Sequence, residues 1–299
     1  MFIIKNKKIF IGISLVLVLL SIISVSVFGL RIGIDFKGGA LTEVVYDEAR
    51  PSQDILNAEI ATLDFGSVLI QPAGDNGYLI KSRDLTDPEH DLLLETLSLD
   101  GAHTLKETAF NSIGPSVGRE LTRKAIIAIV LVSLAIICFI AYAFRKVSKP
   151  VSSWRYGFIA IVSLLHDIII PIGIFSLLSY YFGAEVDTLF VVAILTVLGL
   201  SVSDTIVIFD RIRENLSTEP NITKADFGNI VGKSLSQSFV RSLSTSLSTI
   251  LVLVALFFFG PESTKYFALV LITGMFFGTY SSIFLASPLL VLVSTFKSK

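Results

Sequence analysis

Six stretches of this 299-residue chain approach or exceed the length, about 20 apolar residues, that a helix needs to cross a bilayer. They lie near Ile9–Leu30, Ala125–Phe144, Gly157–Leu178, Thr188–Phe209, Phe239–Phe259 and Phe267–Val293. In hydrocarbon every backbone N–H and C=O must find its partner inside the protein, so each stretch is expected as a transmembrane helix. Hydrophobic residues make up 53% of the chain and mean hydropathy is +0.76, well beyond a soluble domain. Lys5, Lys7 and Lys8 precede the first stretch as they would a secretion signal. Its apolar run is too long for one and no small-x-small cleavage pattern follows, so it is expected to remain as a span.

Lysine and arginine in the short loops set the expected orientation. Three lysines precede the first span, and Arg145, Lys146, Lys149 and Arg155 lie between the second and third. Arg211, Arg213, Lys224 and Lys233 lie between the fourth and fifth, and Lys297 and Lys299 close the chain. The opposite short loops hold Lys265 beside Glu185, Asp187 and Glu262. Both termini are therefore expected in the cytoplasm, with segment 31–123, which has 16 acidic and 8 basic residues, on the other side. A net charge of -1 gives no reason to expect a nucleic-acid partner. The single cysteine, Cys138, can form no internal disulfide and reads as a small packing residue. Two of the three histidines, His90 and His103, fall outside the apolar stretches, so no multi-ligand metal site is expected. No nucleophile–base pair or cofactor loop is present, and neither an enzyme nor a cofactor is expected.

Segment 31–123 switches character. The β-prone run Ala40–Tyr46 precedes a helical stretch, Pro51–Leu63. Two short strands follow, Ser67–Gln71 and Tyr78–Lys81, joined through the turn-rich Ala73-Gly74-Asp75-Asn76-Gly77. A second helix, Asp87–Leu97, opens where Pro88 suits a first turn, and a last strand, Thr104–Phe110, leads to the second span. The order β-α-β-β-α-β is the split, ferredoxin-like arrangement. Three regions are thus expected: 1–30 as N-terminus and first span, 31–123 as an extracytoplasmic α+β domain, and 124–299 as a five-helix transmembrane domain.

Two spans carry charges that hydrocarbon penalises by at least about 2.5–3.5 kcal/mol each. Asp204 lies 16 residues into the fourth span, roughly 24 Å along the helix axis. Arg241 lies 18 residues back from Phe259, roughly 27 Å. At nearly equal height on antiparallel helices they are expected to face each other as an ion-coupling pair, since a merely structural pair is often replaceable by apolar packing. Ser201, Ser203 and Thr205 flank Asp204, while Arg241, Ser244, Thr245, Ser248 and Thr249 share one face of the fifth span. That face describes either a hydrated groove or small residues that let helices approach. In the third span His166 and Asp167 lie roughly 15 Å from Gly157. They read either as a proton relay, because histidine titrates near neutrality, or as a hydrogen-bonded pair pinning the helix. Ser201, Thr205, Thr245 and Thr249 are the other relay candidates. Pro171, one turn on, is a site where the helix can kink. The amphipathic stretch Thr223–Gln237 reads as a surface helix on the inner leaflet or as a solvated loop.

Ordered motifs run the length of the chain. Gly33-Ile34-Asp35-Phe36-Lys37-Gly38-Gly39 follows the first span, and Ser112-Ile113-Gly114-Pro115-Ser116-Val117-Gly118-Arg119-Glu120-Leu121 precedes the second. His166-Asp167 stands in the third span. Leu198-Gly199-Leu200-Ser201-Val202-Ser203-Asp204-Thr205, followed by Phe209-Asp210-Arg211-Ile212-Arg213-Glu214-Asn215, marks the fourth. Arg241-Ser242 with Thr245-Ser246 marks the fifth, and Ser281-Ser282 with Ala286-Ser287-Pro288 the sixth. Together they resemble the SecF branch of the SecD/SecF family of bacterial preprotein-translocase subunits, whose signatures are GIDFTGG, VGPxVGxEL, HD and GYSxNDT…DRIREN. Gly33, Asp35, Phe36, Gly38, Gly39, Gly114, Pro115, Gly118 and Glu120 fill its structural motifs. Ser203, Leu200 and Lys37 depart from the usual asparagine, tyrosine and threonine.

The resemblance implies a six-span, RND-like half-transporter of the bacterial inner membrane, with a periplasmic ferredoxin-like insert. It implies a SecD partner, association with the SecYEG channel, and action on unfolded secreted polypeptide after the ATP-driven SecA. The implied drive is a proton or sodium gradient, with that ion in place of any cofactor, and the family's intramembrane aspartate and arginine map onto Asp204 and Arg241. Protonation of Asp204 beside Arg241 would then let spans four and five shift. Two other classes stay open: an RND-type exporter of a small molecule or lipid, and a non-conducting assembly subunit in which the charged pair only locks two helices.

Overall fold

The computed structural model describes residues 2–66, 68–143, 153–218 and 224–295. The chain divides into two compact units, one of Met1–Arg31 with Ala128–Lys299 and one of Ile32–Ile127. Phe144, the basic loop residues Arg145, Lys146 and Lys149, and the terminal Lys297 and Lys299 lie outside the described residues.

In the smaller unit the strands β1 (Gly39–Tyr46), β2 (Leu69–Ala73), β3 (Gly77–Ser82) and β4 (Leu105–Ile113) form one antiparallel sheet in the order β2-β3-β1-β4. Helix α1 (Gln53–Ile60) joins β1 to β2, and helix α2 (Asp87–Leu97) joins β3 to β4. Ala40, Thr42, Val44 and Tyr46 are buried, every second residue of β1, as the pleat requires when one face is covered. Leu56 and Ile60 of α1 and Leu93 and Leu97 of α2 close that core. The buried tyrosines bond outward to backbone: Tyr46 Oη donates to the Leu97 carbonyl at 2.9 Å and Tyr78 Oη to Pro51 at 2.7 Å. Burial, with Tyr78 alongside, pushes the Tyr46 phenol up to about 12. The expected ferredoxin-like order is present. Ser67, the expected start of the second strand, is outside the described residues, and pairing of Ala73 with Gly77 shortens the turn to Gly74–Asn76.

One turn of helix at Ile34–Lys37 was not foreseen. It is closed by Gly38, which has φ +85°, and a Cβ there would lie 2.9 Å from Pro115 Cα. Thr122 Oγ1 donates to the Phe36 carbonyl at 3.4 Å. The glycine motif after the first span and the one opening the second therefore pack on each other as a tight turn. That packing carries the compact unit on to Ile127, beyond residue 123.

Among the described residues six helices are long and apolar enough to cross a membrane: Lys7–Phe28, Pro115–Ala143, Trp154–Phe182, Thr188–Ser217, Asp226–Phe259 and Lys265–Ser294. Spans three and six are central, with 56% and 61% of their most apolar stretch buried against 6% for span two. Span one is tied to span three where Ser24 Oγ donates to the Gly173 carbonyl at 2.9 Å. Span three stays helical through Pro171. Span six changes from α-helix to a π-helical segment, Ser282–Ala286, just before Ser287 and Pro288.

Spans four and five run beyond their apolar stretches. Ion pairs at one-turn spacing, Arg213–Asp210 and Arg211–Glu214, both 2.7 Å, line the end of span four. Asn215 Nδ2 donates to Ser234 Oγ at 2.7 Å and to Gln237 Oε1 at 2.8 Å. Beneath them Ile212 and Leu216 share a core with Phe227, Ile230, Val231 and Leu235. From Lys224 onward, the stretch expected as a surface helix or solvated loop is the start of span five. Its amphipathicity is that of a helix half-covered by its neighbour, and Thr223 lies outside the described residues.

Candidate functional site

Polar side chains from spans three to six converge inside the bundle. Asp167 is fully buried, and both oxygens of its carboxylate are engaged. His166 Nδ1 lies 2.8 Å from Oδ1, while Ser201 of span four and Ser281 of span six donate to Oδ2, the latter at 2.7 Å. Ser163 donates to Ser281 at 2.9 Å. Ser201 and Thr205, one turn apart, point the same way on span four, and Thr205 Oγ1 meets Ser282 Oγ at 2.8 Å.

Asp204, one position off that face, is half-buried. Its Oδ2 accepts from Ser246 of span five and Thr279 of span six, each at 3.3 Å, and those two hydroxyls lie 2.5 Å apart. Close approach of span six to span four makes this possible. A Cβ on Gly274 would fall 2.2 Å from Val197 Cγ2, and one on Gly278 would fall 3.2 Å from Ser201 Cβ.

Arg241 is not opposite Asp204. It is exposed, beside a cleft shared with Asp210, Glu214 and Gln237, and neither it nor Asp204 forms an ion pair among the described residues. The reason is height as well as azimuth: Asp204 is level with Ser246, and Arg241 lies five residues, roughly 7.5 Å, further along span five. Ser238, Ser242 and Ser246 repeat every four residues and are the buried face of span five. Arg241 precedes Ser242 by one residue, about 100° around the helix. Thr245 and Thr249 turn outward with it, their hydroxyls donating to the carbonyls of Arg241 and Thr245 at 3.0 and 3.1 Å. The expected ion-coupling pair is thus corrected to an aspartate held by hydroxyls, and two of the relay candidates stand apart from it. His166, Asp167, Ser201 and Thr205 are brought together.

Ser246, Thr279, Ser281 and Ser282, which supply most of the surrounding hydroxyls, were not singled out as site residues. A signal for them was present: Gly274 and Gly278, four apart, mark a face where membrane helices approach closely. A hydroxyl both donates and accepts, so these groups can serve either protonation state of a neighbouring carboxyl by rotating. An all-oxygen surround also suits a hard cation.

Residues 95–295 match the family model described as protein export membrane protein SecD/SecF, C-terminal. The chain is 41% identical to the protein translocase subunit SecF of Thermobaculum terrenum, over 97% of this chain and 92% of that protein. It is 35% identical to the SecF of Anaerolinea thermophila, over 97% and 93% respectively. Among solved structures, the crystal structure of SecDF from Thermus thermophilus, described as a translocon-associated membrane protein, superposes with a TM-score of 0.81 at 29% identity. That match covers 97% of this chain and 38% of the longer protein. With six spans, a ferredoxin-like unit and motifs in family order, the chain belongs to the SecF family of SecD/SecF protein export membrane proteins.

Proposed function

We propose that this chain acts in protein translocation as a SecF-type subunit beside a SecD partner, and that ion uptake and release at Asp204 couples it to the membrane gradient. The observation that carries this reading is the setting of Asp204. It is a half-buried carboxyl where spans four, five and six meet, bonded to two hydroxyls at 3.3 Å and to no cation among the described residues. Ionised, Asp204 accepts from Ser246 and Thr279; protonated, it donates to one of them. Taking up an ion therefore alters the contacts of three helices together, which is what a two-state element requires. Each charge crossing the membrane releases about 2.3 kcal/mol per 100 mV, enough to bias such an element.

In this reading the ferredoxin-like unit lies outside the cytoplasm, where it holds or releases an emerging polypeptide. Both termini are cytoplasmic in the bacterial inner membrane, SecYEG supplies the channel, and SecA acts upstream. Proton and sodium both suit the oxygen-lined site, and transport measured with one ion replaced at a time separates them. The decisive variant is Asp204→Asn, which is expected to insert normally and to lose gradient-stimulated export. Normal late-stage translocation by that variant, at equal expression, defeats the proposal. Ion flux that follows an added small molecule rather than polypeptide marks an exporter, and absence of flux marks an assembly subunit.

A further inference from the structure

Spans five and six leave an apolar groove on the surface of the bundle. Its deeper part, a cleft of about 230 Å³, is walled by Phe239, Leu243, Leu247 and Ile250 of span five and by Phe276 and Phe284 of span six. A second cleft of about 390 Å³ adjoins it, sharing Phe239 and Phe284 and ending at Phe2, Ile3 and Ser236. The groove opens where span six widens into its π-helical turn, Ser282–Ala286, to which Phe284 belongs. From Phe239 to Ile250 it runs roughly 16.5 Å along the helix, and one leaflet of acyl chain, half of a hydrocarbon core, is about 15 Å deep. A slot between two packed helices takes a single chain, whereas a third helix is about 10–12 Å across.

The Phe2 end of the groove is basic. Lys5 follows Phe2 by one turn and Lys233 precedes Ser236 by one turn, so each stands on a face that lines the cleft. Both lysines are exposed, and neither forms an ion pair among the described residues. Among those residues no acid lines either cleft. The groove also lies on the far side of span five from Arg241. Phe239, Leu243 and Leu247 each follow a residue of the buried stripe Ser238, Ser242 and Ser246, while Arg241 and Thr245 each precede one. The two sets stand roughly 200° apart around the helix, so a partner on the Arg241 face leaves the groove to the bilayer.

We infer that this groove binds one anionic phospholipid of the inner leaflet, with its phosphate between Lys5 and Lys233 and one acyl chain laid along span five as far as Ile250. The proposed orientation supplies only the name of the leaflet. Ser246 and Thr279 also line the groove, and their hydroxyls turn inward to Asp204. The acyl chain packs on the outside of these two residues and completes the wall between Asp204 and the bilayer. It does so whether or not Asp204 takes up an ion.

The test uses the chain with its SecD partner in phosphatidylcholine vesicles that hold a minor share of phosphatidylglycerol with a diazirine at the end of one acyl chain. Illumination is expected to label Leu247, Ile250 and Phe276, mapped by mass spectrometry of the digested chain. With the same diazirine on phosphatidylcholine, labelling there is expected to be about thirtyfold weaker, the ratio that two lysines beside an anionic headgroup give. Lys5→Gln with Lys233→Gln, both on the surface, should abolish that preference without disturbing insertion. Leu243→Trp, which fills the groove, should remove labelling by either lipid. Asp204→Asn should label as the native chain does, which keeps this test apart from that of the ion site. Equal labelling by the two lipids in the native complex, or a preference that survives loss of both lysines, overturns the inference. Labelling seen only in the chain without SecD overturns it too, and gives the groove to the partner.

Discussion

The Asp204 carboxyl turns to Ser246 and Thr279, whereas Arg241, five residues and roughly 7.5 Å further along span five, turns its guanidinium out of the bundle. Groups that share no partner contribute independently, within about 0.3–0.5 kcal/mol. A double-mutant cycle with Asp204→Asn and Arg241→Gln, read from thermal unfolding of the chain alone, should therefore give a coupling below about 0.5 kcal/mol. A coupling of several times that size would restore the ion pair. Depth was misread by more than a turn, because equal counts from the outer ends do not give the register in which the two helices pack, and Asp204 is level with Ser246. Azimuth was hidden because span five carries two hydroxyl stripes one residue apart. Ser238, Ser242 and Ser246 form one; Arg241, Ser244, Thr245, Ser248 and Thr249 form the other. Which of them turns inward is decided by packing against spans four and six. In span three the adjacent His166 and Asp167 needed no such choice, and their contact could be read directly.

Among the elements, those with chemical punctuation were found close to their true ends. The helix Asp87–Leu97 is one, opened by Thr86, Asp87 and Pro88, with Glu89 reaching back to the Thr86 amide at 2.8 Å. Its inner face depends on Leu93, which is fully buried, so Leu93→Ala should destabilise the ferredoxin-like unit by about 2–5 kcal/mol in chemical unfolding of the full chain. The Arg83 guanidinium first, and then the Thr86 amide and hydroxyl, hold the Glu89 carboxyl down at about 2. A depressed carboxyl stabilises the fold fully above its unfolded value, about 4.3, and that share disappears as pH falls towards the folded one. Melting of this unit should thus lose more between pH 5 and pH 2 in the native chain than in Glu89→Gln, and an equal loss in both would discount the contact. Spans four and five were read too short for a different reason. Hydropathy stops at the first charges, whereas the helix continues through Asp210–Asn215 because one-turn ion pairs and a shared apolar core support it. The π-helical turn of span six left only Pro288 as a trace in the sequence.

For the whole molecule, the outward stripe of span five bears on what lies beside it. Lipid offers no partner to a guanidinium, and a charge placed there costs at least about 2.5–3.5 kcal/mol on the lenient scale. Arg241 is exposed and makes no ion pair among the described residues, and the chain matches 38% of the longer SecDF protein. The proposed SecD partner is the natural cover for that face. Two measurements on Arg241→Leu should then move in opposite directions. The chain alone, in bilayers, gains stability because an unpaired charge has gone, whereas association with SecD weakens because the partner's polar groups lose theirs. Thr245→Leu with Thr249→Leu supplies the control. Among the described residues their hydroxyls bond only to their own backbone, so the isolated chain should change by no more than about 0.5 kcal/mol while association still falls. If energy transfer between labelled chains in one bilayer shows Arg241→Leu binding SecD as tightly as the native chain, the stripe faces something else, and the cover assigned to it here is wrong.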